Sequence, residues 1–164
     1  MEGYTEHEWQ QVVEGPMIAG FAITAADPSS FVGALQESIE TGRAMNEAMR
    51  DQGATSLIGS VVQSYRDSSV RSSARETIRE LSKGGDMAAS TQAAITRLSA
   101  IASLVRDRSP AEAEDYIGWL QTLAERVAEA GTEGGFLGFG GEKVSDAERR
   151  TLAEIRTALQ PTGG

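Results

Sequence analysis

The chain reads as an all-α protein, a single-domain bundle of five to seven helices. Three observations predict this. Apolar residues recur at three- and four-residue steps almost throughout, the period of a helix with one buried face. No stretch alternates with the period of two that a half-buried strand requires. Helix-start signals, an Asp or Ser followed by Pro or by Glu three residues on, punctuate the chain at helix-length intervals. The 164 residues, 40% hydrophobic and 24% charged, are enough for one hydrophobic core. Residues 1–160 are assigned to the helical domain and 161–164 to a short flexible tail.

The first helix carries Trp9, Val12, Val13, Met17, Gly20, Phe21 and Thr24 on one face. From Met17 onward the other positions (Ile18, Ala19, Ala22, Ile23) are apolar too, so this segment is expected at the centre of the bundle. Gly15-Pro16 interrupts it and predicts a kink or a fresh start. Asp27-Pro28 opens a second helix through Phe31, Leu35, Ser38, Gly42, Met45 and Met49, closing at Gln52-Gly53. Leu57, Ile58, Val61, Val62 and Tyr65 mark a third. Its continuation through Asp67-Ser68-Ser69 to Val70, Ala74, Ile78 and Leu81 stays open between two helices and one long bent helix, stopping at Gly84-Gly85.

Asp86 caps the next helix, with Met87, Thr91, Ala94, Leu98, Ile101 and Val105 on its seam. Ser109-Pro110-Ala111-Glu112 reads as a capping box. It would open a helix bearing Tyr116, Ile117, Leu120, Leu123, Ala124 and Val127 that closes near Gly131. Ser145-Asp146-Ala147-Glu148 is a second such box, starting a last helix with Leu152, Ile155 and Leu159 that ends at Pro161.

Composition sets several chemistries aside. No Cys is present, which excludes disulfides, thiolate metal sites and cysteine nucleophiles. The single His7 lies between Glu6 and Glu8, whose side chains diverge on a helix and cannot share an ion. No metal site and no cofactor are expected. The carboxylate pairs Glu37 with Glu40 and Glu112 with Asp115 need no catalytic role, and no Gly-x-Ser-x-Gly elbow occurs. The chain is therefore expected not to be an enzyme.

The net charge of −9 disfavours nucleic acid. Its distribution is uneven: seven acidic and no basic residues up to Gly42, then ten basic and seven acidic as far as Arg108. The most apolar stretch, Pro16 to Ala26, is too short to span a bilayer and lacks a basic region ahead of it. A cytoplasmic protein of bacterial type, with no membrane partner, is expected.

Three sets of residues stand out as candidate sites. Arg71, Arg75 and Arg79 fall at i, i+4 and i+8, one basic stripe that would suit an acidic partner or a second copy. The six-glycine stretch from Gly131 to Gly141 interleaves Phe136, Leu137 and Phe139, either folded over the bundle end or offered as a contact surface. Met17, Phe21, Phe31, Met45 and Met49 would line a cavity for an apolar ligand between helices.

Gly140 to Glu148 (GGEKVSDAE), followed by Leu152 and Ile155, resembles the loop and helix ends of TerB-like stress proteins. That resemblance implies a small helical protein associated with metal ions and stress. Gly140 and Gly141 stand where an acidic ligand would be wanted, so membership is not adopted. The leading expectation is a non-enzymatic interaction or assembly module that binds a protein partner or itself. The alternatives are a bundle that holds an apolar small molecule and, behind it, a TerB-like protein.

Overall fold

The computed structural model describes residues 3–26, 56–133 (backbone alone for 131–133) and 144–161. Six helices lie among them: α1 (Glu6–Ala26), α2 (Leu57–Ser64), α3 (Ser68–Leu81), α4 (Met87–Arg108), α5 (Ala113–Glu133) and α6 (Asp146–Ala158). No strand occurs among the described residues, and the all-α bundle is as expected. The helix expected over Phe31 to Met49, the segment 134–143 and the last three residues of the tail lie outside the described residues.

α1 touches each of the other five helices. Its all-round apolar second half explains why: Ile18, Ala19, Ala22 and Ile23 are all buried. Around it the core is built from Leu57 and Val61 of α2, Leu98 and Ile101 of α4, and Tyr116, Leu120 and Leu123 of α5. Ile155 and Leu159 close it at α6. α3 is attached differently. Ala74 is its one fully buried residue, and Val70, Ile78 and Leu81 are half-buried against the core.

α2 and α3 are separate helices. Asp67 turns its carboxylate back onto the Ser69 N–H at 2.8 Å, capping a new helix instead of continuing the old one. Those hydrogen bonds to Ser69 hold the Asp67 carboxyl below its ordinary range. Asp86 caps α4 by accepting from Ala88 and Ala89, and the Ser145–Glu148 capping box is complete.

The box expected at Ser109 does not form. Its carboxylate is taken elsewhere: Glu112 Oε1 accepts from the Leu57 N–H at 2.6 Å and so serves the start of α2. Ser109 Oγ accepts from Tyr4 at 2.9 Å, and α5 begins later, at Ala113. A capping box does form at the start of α1, where Thr5 N donates to Glu8 Oε2 at 2.8 Å and Glu8 N to Thr5 Oγ1 at 3.2 Å. Glu8 also binds Arg108, joining the start of α1 to the end of α4.

Gly15-Pro16 neither ends α1 nor starts a new helix; Pro16 lies inside it. Proline has no N–H for the carbonyl four residues earlier, which here is Val12. The missing donor is supplied by α5: Tyr116 Oη donates to the Val12 carbonyl at 2.6 Å. The next carbonyl, Val13, accepts from Tyr65 Oη at 2.7 Å. Gly15 makes this possible, because a Cβ there would land on Tyr116 Oη. Burial pushes the Tyr116 hydroxyl well above its ordinary value, so it stays protonated and a donor.

Two outcomes follow from these contacts. Tyr116→Phe leaves a buried carbonyl unpaired and should cost about 1–3 kcal/mol in urea unfolding, and less in a Pro16→Ala background, where an N–H returns. Equal costs in both backgrounds would separate the tyrosine from the proline. The second outcome concerns acid. Hydrogen bonds from Thr5 and then Arg108 lower Glu8 from 4.5 to about 2. A depressed carboxyl stabilises the fold fully above the unfolded value and loses that contribution as pH falls towards the folded one. Glu8→Gln should therefore flatten the loss of stability between pH 4.5 and about 2, as read by acid titration of the unfolding midpoint.

Candidate functional site: a cleft between the first and third helices

The first half of α1 places Glu6, Trp9, Gln10, Val13 and Glu14 on one face, by the same three- and four-residue spacing that builds the core. α3 crosses that face without covering it, and Ser69, Val70 and Ser73 form the opposite wall. The space between is about 300 Å³. Trp9, Val13 and Val70 make its apolar surfaces. The polar groups are two carboxylates, an amide and two serine hydroxyls. Apolar walls with a few convergent polar groups are what a small-molecule site needs, and this volume stands at the lower end of such sites.

Glu14 is the unusual member. It is 3% exposed, and a buried carboxylate requires compensation. Glu14 Oε1 accepts from Gln10 Nε2 at 3.2 Å and, loosely, from Ser73 Oγ at 3.4 Å. Gln10 also donates to Ser73 Oγ at 2.6 Å, so α1 and α3 are joined across the cleft by this one small network. Glu14 Oε2 finds no hydrogen-bond partner among the described residues. The nearest cation is Arg97 of α4, with its NH2 group 3.7 Å away, too far for a hydrogen bond. Arg97 Nε is likewise buried and unpartnered among the described residues. Arg97 thus supplies charge to the carboxylate but little directed bonding.

The carboxylate is felt on the other side of α1. Burial first, then the Glu14 charge, push the Tyr65 hydroxyl well above its ordinary value and keep it a donor to Val13.

The basic stripe is not a free surface along its length. Arg71 turns its guanidinium back to the Tyr65 and Arg66 carbonyls, at 2.5 and 2.9 Å, and completes the end of α2. Arg79 pairs with Glu76 of its own helix, and Arg75 is exposed. Met17 and Phe21 are half-buried on α1, and the cleft is lined by other α1 residues. Phe31, Met45, Met49, Phe136, Leu137 and Phe139 lie outside the described residues. His7 is exposed and bonds Gln11 at 2.8 Å, and no group of three or more metal-ligating residues occurs among the described residues. No helix among them is long and apolar enough to cross a membrane. The chain matches no family model, no curated protein and no solved structure.

By sequence Trp9 and Val13 share the spacing of core residues, Trp9 is also a candidate for a cavity wall, and the periodicity does not single out Glu14 or Arg97. The available signal was a charged residue in the sequence directly between Val13 and Gly15-Pro16, where the apolar run of the first helix begins. Arg97→Met should destabilise the protein by about 1–3 kcal/mol, below the full cost of stripping a buried pair because Arg97 is partly solvated. Glu14→Gln, which removes the charge and keeps the shape, should cost less. The order of the two in denaturant unfolding checks the assignment of Glu14 as the group that needs Arg97.

Proposed function

We infer that the protein is a non-enzymatic binding module that takes a small amphipathic molecule in the α1–α3 cleft. The observation that carries this reading is the cleft itself: a cavity of about 300 Å³ walled by Trp9, Val13 and Val70 and edged by the polar side chains of Glu6, Gln10, Ser69 and Ser73. The thin attachment of α3 supports it further. A helix with one fully buried residue can shift to admit and enclose a ligand without disturbing the core around α1.

A second reading, docking of an acidic protein partner or a second copy on the outer face of α3, is favoured by the exposure of Arg75 and Arg79. One experiment separates the two. Native mass spectrometry of gently purified protein should show a single chain carrying a discrete added mass, and that mass should vanish in Ser69→Trp, which fills the mouth of the cleft. An added mass that survives Ser69→Trp overturns the cleft as its site. A mass of two chains, without adduct, favours docking.

A further inference from the structure

We propose that α3 is a flap that lifts from α1 and α4 as one unit, hinged on the end of α2, while the rest of the bundle stays folded. The motion belongs to the protein without a ligand, so it stands apart from the reading of the cleft as a binding site. α3 packs on α1 and α4 through one apolar seam, Val70, Ala74, Ile78 and Leu81, of which only Ala74 is fully buried. The positions opposite, Ser72, Arg75, Glu76, Arg79 and Glu80, are exposed. Glu76 pairs with Arg79 and Glu80 with Lys83, so these ion pairs lie within the segment and travel with it. A region with few buried apolar contacts opens at a lower free energy than the core beside it.

The polar contacts favour the same motion. Ser73 Oγ accepts from Gln10 Nε2 at 2.6 Å and donates to Glu14 Oε1 at 3.4 Å, which makes a latch across to α1. The Gln10–Ser73 bond is exposed, so water replaces it at small net cost. Water that takes the place of Ser73 at Glu14 Oε1 returns hydration to a buried carboxylate and offsets part of the apolar surface bared. Both ends of α3 allow the movement. At its start, Asp67 bonds Ser69 and Arg71 bonds the Tyr65 and Arg66 carbonyls, contacts that tie α3 to α2 and not to α1. At its end, the five residues Ser82 to Asp86 lead to α4, with Gly84 and Gly85 in open space and Gly85 at φ +67°. A connection of that length spans about 16 Å when extended, enough for the end of α3 to move away.

The chain has no Cys, so one introduced thiol reports the opening. Ala74→Cys in α3 and, in a second protein, Ala124→Cys in α5 place that thiol at buried positions. Their reaction with Ellman's reagent is followed on the full chain, below the unfolding transition, at rising urea. Ala74→Cys should react about 100-fold faster than Ala124→Cys and with a weaker urea dependence. Adding Ile155→Val, a small cut in the core at α6, weakens the closed and lifted states alike. It should speed the thiol at 124 about fivefold and leave the thiol at 74 unchanged. Gln10→Ala weakens the closed state alone and should speed both several-fold. Equal rates with equal urea dependence at the two sites, or Ile155→Val speeding both alike, overturns the flap, because α3 then opens only with the whole protein. A thiol at 74 that ignores Gln10→Ala overturns the latch. Amide hydrogen exchange of the unaltered chain is the check that needs no variant. The amides of Ala74 to Ile78 should exchange ahead of those of Ala94 to Leu98 with little urea dependence, and one common, steeply urea-dependent rate for both sets overturns the proposal.

Discussion

The structure depends on how a proline is accommodated in the middle of its central helix. Pro16 removes one donor from α1 at a point where the helix is enclosed and water cannot supply another. The cost of the unpaired Val12 carbonyl is met by the Tyr116 phenol from outside the helix, and the next carbonyl, Val13, accepts from a second phenol, Tyr65. These two bonds do more than repair α1. One fixes α5 against it, and the other fixes the junction of α2 and α3. Gly15 leaves the space that Tyr116 occupies, so the Gly-Pro pair acts as a socket for the packing of other helices instead of as a break.

The same short stretch of α1 also holds the chemistry. Residues 12, 13, 15 and 16 organise the contacts with the tyrosines, and Glu14 lies among them facing the cleft. A carboxylate buried here requires compensation. It is met by Gln10 of its own helix, by Ser73 across the cleft and by the charge of Arg97 behind it. Rigidity on the α1 side contrasts with α3, whose contacts with the core are made by half-buried Val70, Ile78 and Leu81. One wall of the cleft is fixed and the other is held by a thin apolar face and one polar network.

Much of this fold was legible because helix periodicity and caps are local. The apolar residues around α1 place it centrally, and Asp86 and Ser145 cap the helices they precede. Where local signals misled, a distant group had intervened. Glu112 has the spacing of a capping box with Ser109, but its carboxylate satisfies Leu57, far earlier in the chain, and Ser109 is taken by Tyr4. Arg71 shares the period of Arg75 and Arg79, yet it folds back onto the carbonyls that end α2. The cleft was least legible of all. Its α1 residues obey the same period as core residues, and only the thin packing of α3 leaves Trp9, Val13 and Glu14 facing a cavity.

That ambiguity has a physical basis. Helical period fixes which residues share a face but not what covers the face, and covering depends on the apolar content of the neighbour. α3 spends most of its positions on Ser, Arg and Glu, so it can bury little of the surface it crosses. A neighbour richer in Leu or Ile would have closed over Val13 and left no room for a carboxylate at position 14. Conversely, a buried Glu14 without a polar wall would be intolerable, and Ser73 with Gln10 supplies that wall. The low apolar content of α3 and the buried charge of α1 are thus two sides of one arrangement. Together they leave a cavity beside a core that the tyrosines hold fixed.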